Sequence, residues 1–155
     1  GREILTHIRL VDNSLRLWTG KGVLERMGMT VDRDGRDNHH YEQIYLNDRY
    51  VLITHGTEDD PIYNFANRAA LAAFWRSWDD VVRLPSSRSV VLRSVDASKR
   101  IELMKSVTDN NYVENATGIR VRDDGKFIQL VDAVVWNVVG DDDNTTYIGQ
   151  AAFFD

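Results

Sequence analysis

From Phe127 to Val139 the chain is rich in β-branched residues and apolar on both alternating faces, with Val131, Val134, Val135, Val138 and Val139. A strand of this kind has to be covered on both sides. It is expected to be the central strand of a sheet. Asp123-Asp124-Gly125-Lys126 before it reads as a hairpin turn, and Gly140-Asp141-Asp142-Asp143-Asn144 after it as a second turn. Ile119 and Val121 alternate with Arg120 and Arg122, a strand with one wet face, and Thr145 to Phe154 reads as the last strand. The C-terminal part is thus a three-strand meander.

The preceding sequence supplies helices and two more strands. Ile4, Ile8, Val11, Leu15 and Trp18 form one narrow helical stripe, stopped by Gly20 and Gly22. Met29 to Asn38 reads as a loop and His40 to Leu46 as a short helix. Tyr50 to His55 and Pro61 to Phe65 read as strands. Asn64 and Asn67 stand where side-chain oxygens can cap a helix expected over Asn67 to Trp78. Leu71, Phe74, Trp75 and Trp78 share one face of that helix. Ser77-Trp78-Asp79-Asp80 supplies cap-type residues for a short turn ending near Pro85. Asp96 can cap a further helix with Ile101, Met104 and Val107 on its inner side. The expected fold class is α/β of the α+β type: one five-stranded antiparallel sheet, helices over one face and an additional N-terminal helix.

Several separated segments, in order, carry a family resemblance. They are His55 to Leu71, Leu84-Pro85-Ser86-Ser87-Arg88-Ser89, Gly118-Ile119-Arg120-Val121, Val135-Trp136-Asn137 and Gly149-Gln150-Ala151-Ala152-Phe153. Trp18-Thr19-Gly20 matches more weakly. Together they resemble the MEKHLA domain, a relative of the PAS sensor fold. That family occurs as stand-alone bacterial and algal proteins and at the C-terminus of plant class III homeodomain-leucine-zipper regulators. The resemblance implies a PAS-like MEKHLA domain over residues 49–155, preceded by an N-terminal helical extension and loop over 1–48. It implies a fold and leaves ligand and reaction to the residues themselves.

Composition narrows the function. At 155 residues the chain is long enough for a single core. Its net charge of −5 repels phosphate backbones, so no nucleic-acid partner is expected. There is no cysteine, which removes disulfides, thiolate metal sites and flavin–cysteine adducts. No apolar run approaches a membrane span, so no membrane partner is expected either. The expectation is a soluble, intracellular, cytoplasmic protein. The start at Gly1 in place of a methionine points to a trimmed product and leaves room for a removed targeting peptide.

Catalytic patterns are sparse. His7 falls on the polar side of the first helix and is expected to face solvent. His39 and His40 are adjacent, and neighbouring imidazoles on a helix point apart, unlike a metal-binding pair. His55 reads either as a polar group at the mouth of a pocket or as a ring that closes the strand end by bonding Asp59, Asp60 or backbone. Used with Asp59 or Asp60 it would be the base of a small hydrolase or isomerase. Asp141-Asp142-Asp143-Asn144 lacks the alternation of a calcium loop and reads as a solvated turn. Asn115-Ala116-Thr117 and Asn144-Thr145-Thr146 match the glycosylation sequon.

Some PAS domains bind flavin, and the resemblance raises that alternative. Ser86 falls near the position of their adduct-forming cysteine. Their last strand carries a glutamine two residues after a glycine. Here Gln150 directly follows Gly149, an offset expected to turn it to the opposite face. Noncovalent flavin, with Gln129 and Asn137 as amides, stands as an alternative, and heme behind it. The main expectation is a non-catalytic sensory or regulatory domain that binds a small molecule and self-associates. Phe65, Phe74, Trp75, Trp78, Met104, Phe127, Val135 and Trp136 are expected to fill or line the space between sheet and helices. His55, Asn64, Asn67, Arg68, Arg88, Asn137 and Gln150 are the expected polar contacts, since burying them without partners is costly. A homodimer is expected through the first helix and the open face of the sheet.

Overall fold

The computed structural model describes residues 2–31, 36–89, 94–140 and 142–155. Three helices come first: α1 (Arg2–Thr19), α2 (Val23–Arg26) and α3 (Asn38–Leu46). Strands β1 (Val51–His55) and β2 (Tyr63–Ala66) follow, then α4 (Arg68–Phe74), α5 (Trp78–Val81), a 3-10 turn (Ser86–Ser89) and α6 (Ser94–Asn110). The meander β3 (Tyr112–Val121), β4 (Phe127–Val139) and β5 (Tyr147–Phe154) closes the chain. All strand pairs are antiparallel, in the order β2-β1-β5-β4-β3. The central strand is therefore β5, not β4. The length and apolar character of β4 reflect cover on both faces rather than a central place.

That cover comes from two layers. On one face Ile8, Val11 and Leu15 of α1 pack with Leu52, Val134, Trp136, Val138 and Phe153, all buried. On the other, Ala70 and Phe74 of α4 and Val107 of α6 pack with Ile53, Leu130, Ala133 and Val135. The apolar stripe of α1 is thus buried within its own chain. The expected homodimer cannot use these side chains while the helix stays in place, because its own sheet already occupies them.

Polar bonds lock α1 to the sheet. Trp136 Nε1 donates to Val11 O at 3.0 Å, and Trp18 Nε1 donates to Asn137 O at 2.8 Å. Ser14 Oγ accepts from Val139 N at 2.9 Å and donates to Leu10 O at 2.8 Å. His7 is not solvent-facing. Its Nε2 lies 2.9 Å from Thr54 Oγ1, and its ring packs on Phe65 with centroids 5.7 Å apart. The Thr54 hydroxyl donates to Asn64 Oδ1, so it accepts from His7 Nε2–H.

Two helical expectations change. The helix from Asn67 does not run to Trp78. Asn67 caps it, accepting from Ala70 N at 3.0 Å, but Trp75 adopts the left-handed conformation with φ 53°. Arg76 N donates to Leu71 O at 3.1 Å and Trp75 N to Ala72 O at 3.2 Å, closing a Schellman-type end. Trp75 is left 59% exposed beneath the Arg122 guanidinium, and Ser77 caps a new helix, α5. In α6, Ile101 faces solvent at 63% exposure, and the inward stripe is Arg100, Leu103, Met104 and Val107. That helix begins at Ser94, ahead of Asp96, whose side chain lies outside the described residues. Residues 32–35 of the expected loop and Asp141 of the expected turn also lie outside them.

Candidate functional site

A cavity of about 60 Å³ lies between the sheet and α6. Its walls are mostly apolar: Ile53, Phe74, Leu103, Met104, Leu130, Val135 and Phe154. Polar groups reach it from several elements: His55 on β1, Tyr63 on β2, Ser86 on the 3-10 turn, Arg100 on α6, Arg120 on β3 and Gln150 on β5. A few directed polar groups on apolar walls is the usual make-up of a small-molecule site.

Strand register places one row of these groups. His55 on β1 faces Gln150 on β5, and Gln150 faces Asn137 on β4. Gly149 makes this approach possible. Its φ is +152°, and a Cβ there would overlap the carbonyl oxygen of His55. Gln150 points into the cavity, so the one-residue offset from the glycine does not turn it away.

The hydrogen bonds of the row leave one atom over. Gln150 Nε2 donates to Asn137 Oδ1 and Thr108 Oγ1 at 3.2 Å each, and more weakly to Met104 O at 3.4 Å. Asn137 Nδ2 donates in turn to Val107 O at 3.0 Å. Gln150 is only 2% exposed, yet its Oε1 accepts no hydrogen bond among the described residues. His55 Nδ1 lies 3.0 Å from Gly56 O. A carbonyl only accepts, so Nδ1 carries the proton and Nε2 of the neutral ring is an acceptor. Burial lowers the His55 pKa below its ordinary value and the Arg100 charge adds to this, against the opposing pull of the Gly56 bond, Glu58 and the Gln150 side chain beside the ring.

Each of the other polar groups at the wall has at least one partner. Ser89 Oγ donates to Ser86 O at 2.7 Å, so it accepts from Tyr63 OH at 2.7 Å. Arg100 Nη2 donates to Ser86 Oγ. Arg120 Nη1 donates to Ile119 O at 3.0 Å. Among the described residues neither guanidinium has a carboxylate at ion-pair distance. Burial lowers the Arg100 pKa, with Tyr63 and Asp60 opposing and Arg120 adding to the shift.

Of the residues singled out from sequence, His55, Phe74, Met104 and Gln150 meet at this cavity, with Val135 among the expected wall residues. The others stand elsewhere. Asn67 is buried and fully used: Oδ1 accepts from Leu52 N and Ala70 N, and Nδ2 donates to Ile44 O and Tyr50 O. Asn64 is exposed and serves Thr54, while Arg68 and Arg88 face solvent. Trp78 and Phe65 pack against each other under α3, and Trp136 lies beneath α1. Asn137 supports Gln150 without lining the cavity, and Phe127 is exposed.

Sequence reasoning missed Arg100. The signal was present: Arg100, Leu103, Met104 and Val107 are spaced as one helical face. A cation inside an apolar stripe is an anomaly that points inward. Arg120 was legible only as the wet side of its strand.

Both buried acceptors and basic groups thus converge on a small apolar space beneath α6. The sequence model of the MEKHLA domain matches residues 5–155. The chain belongs to the MEKHLA domain family. Among curated proteins none matches this MEKHLA domain. Its fold is shared by the PAS domain of a Colwellia psychrerythraea protein, at 10% identity and TM-score 0.56, over 68% of this chain and 84% of that one. It is shared by the LOV domain of the Erythrobacter litoralis EL346 blue-light activated histidine kinase, at 19% identity and TM-score 0.55, over 69% and 95%. The light-state dimer of the fungal photoreceptor Vivid matches at 17% identity and TM-score 0.53, over 70% and 78%. These likenesses concern the PAS/LOV fold.

The cavity does not fit a flavin. An engineered cavity that holds one benzene is about 150 Å³, and this one, at about 60 Å³, is far below what the three fused rings of a flavin need. A tricyclic flavin or a heme would have to displace α6. At the position compared with the adduct cysteine, Ser86 is buried and already accepts from Arg100. Among the described residues no group of three or more His, Asp or Glu could hold a metal ion, and no helix is long and apolar enough to cross a membrane.

Proposed function

We propose that this MEKHLA domain is a non-catalytic sensory domain whose ligand is a small molecule held between the sheet and α6. The observation that carries the reading is Gln150 Oε1, a buried acceptor with no hydrogen-bond partner among the described residues, beside a cavity with mostly apolar walls. Leaving such an atom unmet costs about 1–3 kcal/mol. A ligand donor would remove that cost. Residues 49–155 form the PAS-like sensing unit in this reading, and 1–48 the extension that covers one face of its sheet.

Catalysis through His55 has less support. Its Nδ1 bonds Gly56 O, and among the described residues neither Asp59 nor Asp60 is its partner, so the acid–base pair expected from sequence is not assembled. Self-association belongs to the proposal in an altered form. Phe127 and Val131 alternate with the inward Ile128 and Leu130, so they stand on the α1 side of the sheet, 61% and 53% exposed. They are the apolar surface that a second copy would use while α1 stays on its own sheet.

Ligand binding is tested by titrating a library of small fragments against protein with labelled Met and Ala methyls. The proposal expects some fragments to move Met104 and Ala152 selectively. A well-folded protein whose Met104 and Ala152 signals no fragment moves would overturn it.

A further inference from the structure

The cavity wall carries acceptors and basic groups, and the sheet order sets Gln150 and His55 apart from Arg120, while Arg100 reaches in from α6 and acts on both Arg120 and His55. Gln150 on β5 and His55 on β1 offer acceptors: Oε1, which has no partner among the described residues, and Nε2 of the neutral ring. Arg100 and Arg120 offer donors and positive charge. Both arginines also line the adjoining cleft between α6 and β3, together with Lys99, so this seam is the basic side. β5 is two strands from β3, and β1 is three. At about 4.8 Å per strand that is roughly 10–14 Å between backbones. Arginine and glutamine side chains reaching inward shorten this to the span of a short chain molecule.

The basic side is undercompensated. Arg100 donates to the neutral Ser86 and Arg120 to the backbone of Ile119. Asp60 acts on Arg100 from beyond ion-pair distance and is itself bonded by Ser87 Oγ at 2.8 Å. The two guanidinium groups repel each other, as the lowering influence of Arg120 on Arg100 records. The planar guanidinium matches a carboxylate in two parallel bonds. Among the described residues the rest of the lining is mostly apolar, and its polar members Tyr63 and Ser86 are already bonded to protein groups.

From the Gln150 acceptor that no described residue meets and the two arginines that share the α6–β3 cleft, we infer that the cavity takes a short aliphatic carboxylate carrying a hydroxyl or N–H donor at its far end. The carboxylate meets Arg100 and Arg120, the methylenes pack on Leu103, Met104 and Val135, and the terminal donor meets Gln150 Oε1. This inference rests on the cavity being a ligand site.

The test uses the full chain and five probes: butanoate, its ω-hydroxy derivative, butanol, the corresponding diol, and inorganic phosphate. Calorimetry gives the affinities, and the Met104 methyl signal reports whether the probe enters the cavity. The ω-hydroxy acid should bind most tightly, butanoate next, and the diol below it. Arg100→Gln should weaken the hydroxy acid by roughly thirtyfold or more and erase its advantage over the diol. Gln150→Leu should erase the advantage of the hydroxy acid over butanoate. Should Arg100→Gln not fold, Arg120→Gln and the ranking on the unaltered chain decide. Neutral butanol or diol binding as tightly as the acids would overturn the carboxylate and leave the ligand site standing. Phosphate matching the acids would mark a plain anion site and also overturn it. If no probe binds and none moves Met104, the inference falls, and the ligand site falls with it only when the fragment library also leaves Met104 and Ala152 unmoved.

Discussion

The indole of Trp136 donates its N–H to the backbone carbonyl of Val11 at 3.0 Å, so this side chain from the C-terminal half of β4 is spent on holding α1. Trp136 lies among the family-like residues, yet it faces away from the cavity, while its neighbour Val135 faces in. Trp136→Phe keeps most of the packing and loses this bond. It should cost about 1 kcal/mol, read as a shift in urea midpoint, and leave fragment shifts at Met104 unchanged. A change in those shifts would place Trp136 in the ligand site after all.

Asn67 should behave as a structural residue. Its amide bonds four backbone groups on β1, α3, α4 and the segment leading into β1. Asn67→Ala strands several of them in a buried place and should cost about 3 kcal/mol or more. Asn67→Asp keeps the acceptor and loses both donations, and should fall between. Equal stability of all three proteins by chemical denaturation would contradict the assignment.

The α1 stripe gives a sharper contrast. Ile8 and Leu15 are fully buried within the chain. Ile8→Glu with Leu15→Glu forces two charges into an apolar layer. The double variant should lose cooperative unfolding. A folded, soluble monomer from a dimeric parent would instead show that the stripe is intermolecular. Phe127→Glu, on the exposed strip, should leave the fold intact and weaken any dimer seen by sedimentation.

Acid should destabilise the fold through two histidines. Burial lowers the pKa of both His7 and His55 from the ordinary 6.5. The unfolded chain therefore binds more protons than the native one between the lowered values and 6.5, and stability rises with pH there. The contribution is complete above about pH 6.5 and is lost as pH falls through the lowered values. Urea midpoints measured from neutral pH down to about pH 5 should decline, and His7→Gln should flatten part of that decline. A decline unchanged by His7→Gln would contradict the role given to His7.

What was legible in the sequence follows from how local each signal is. The bounds of β4 and its Asp124-Gly125 turn were readable because alternation and a turn glycine are properties of adjacent residues. The α1 stripe was readable as a face, but not its partner, since periodicity says nothing of which chain covers it. The break at Trp75 was hidden because Leu71, Phe74, Trp75 and Trp78 keep helical spacing across it. At the site, the cost of burying polar groups singled out Gln150, which is buried at the cavity wall. The same cost argument also singled out Asn67, which satisfies backbone. Only the fold reveals that four backbone groups surround one amide, and that Arg100 and Arg120 face one space.

The most direct test of the ligand site is native mass spectrometry of the domain purified from its own source. The account predicts a chain heavier than its sequence mass by one small molecule, which is lost on denaturation and reduced when Leu103→Trp fills the cavity. Only the bare chain mass, in a protein whose Met104 and Ala152 methyls also ignore every fragment, would contradict it.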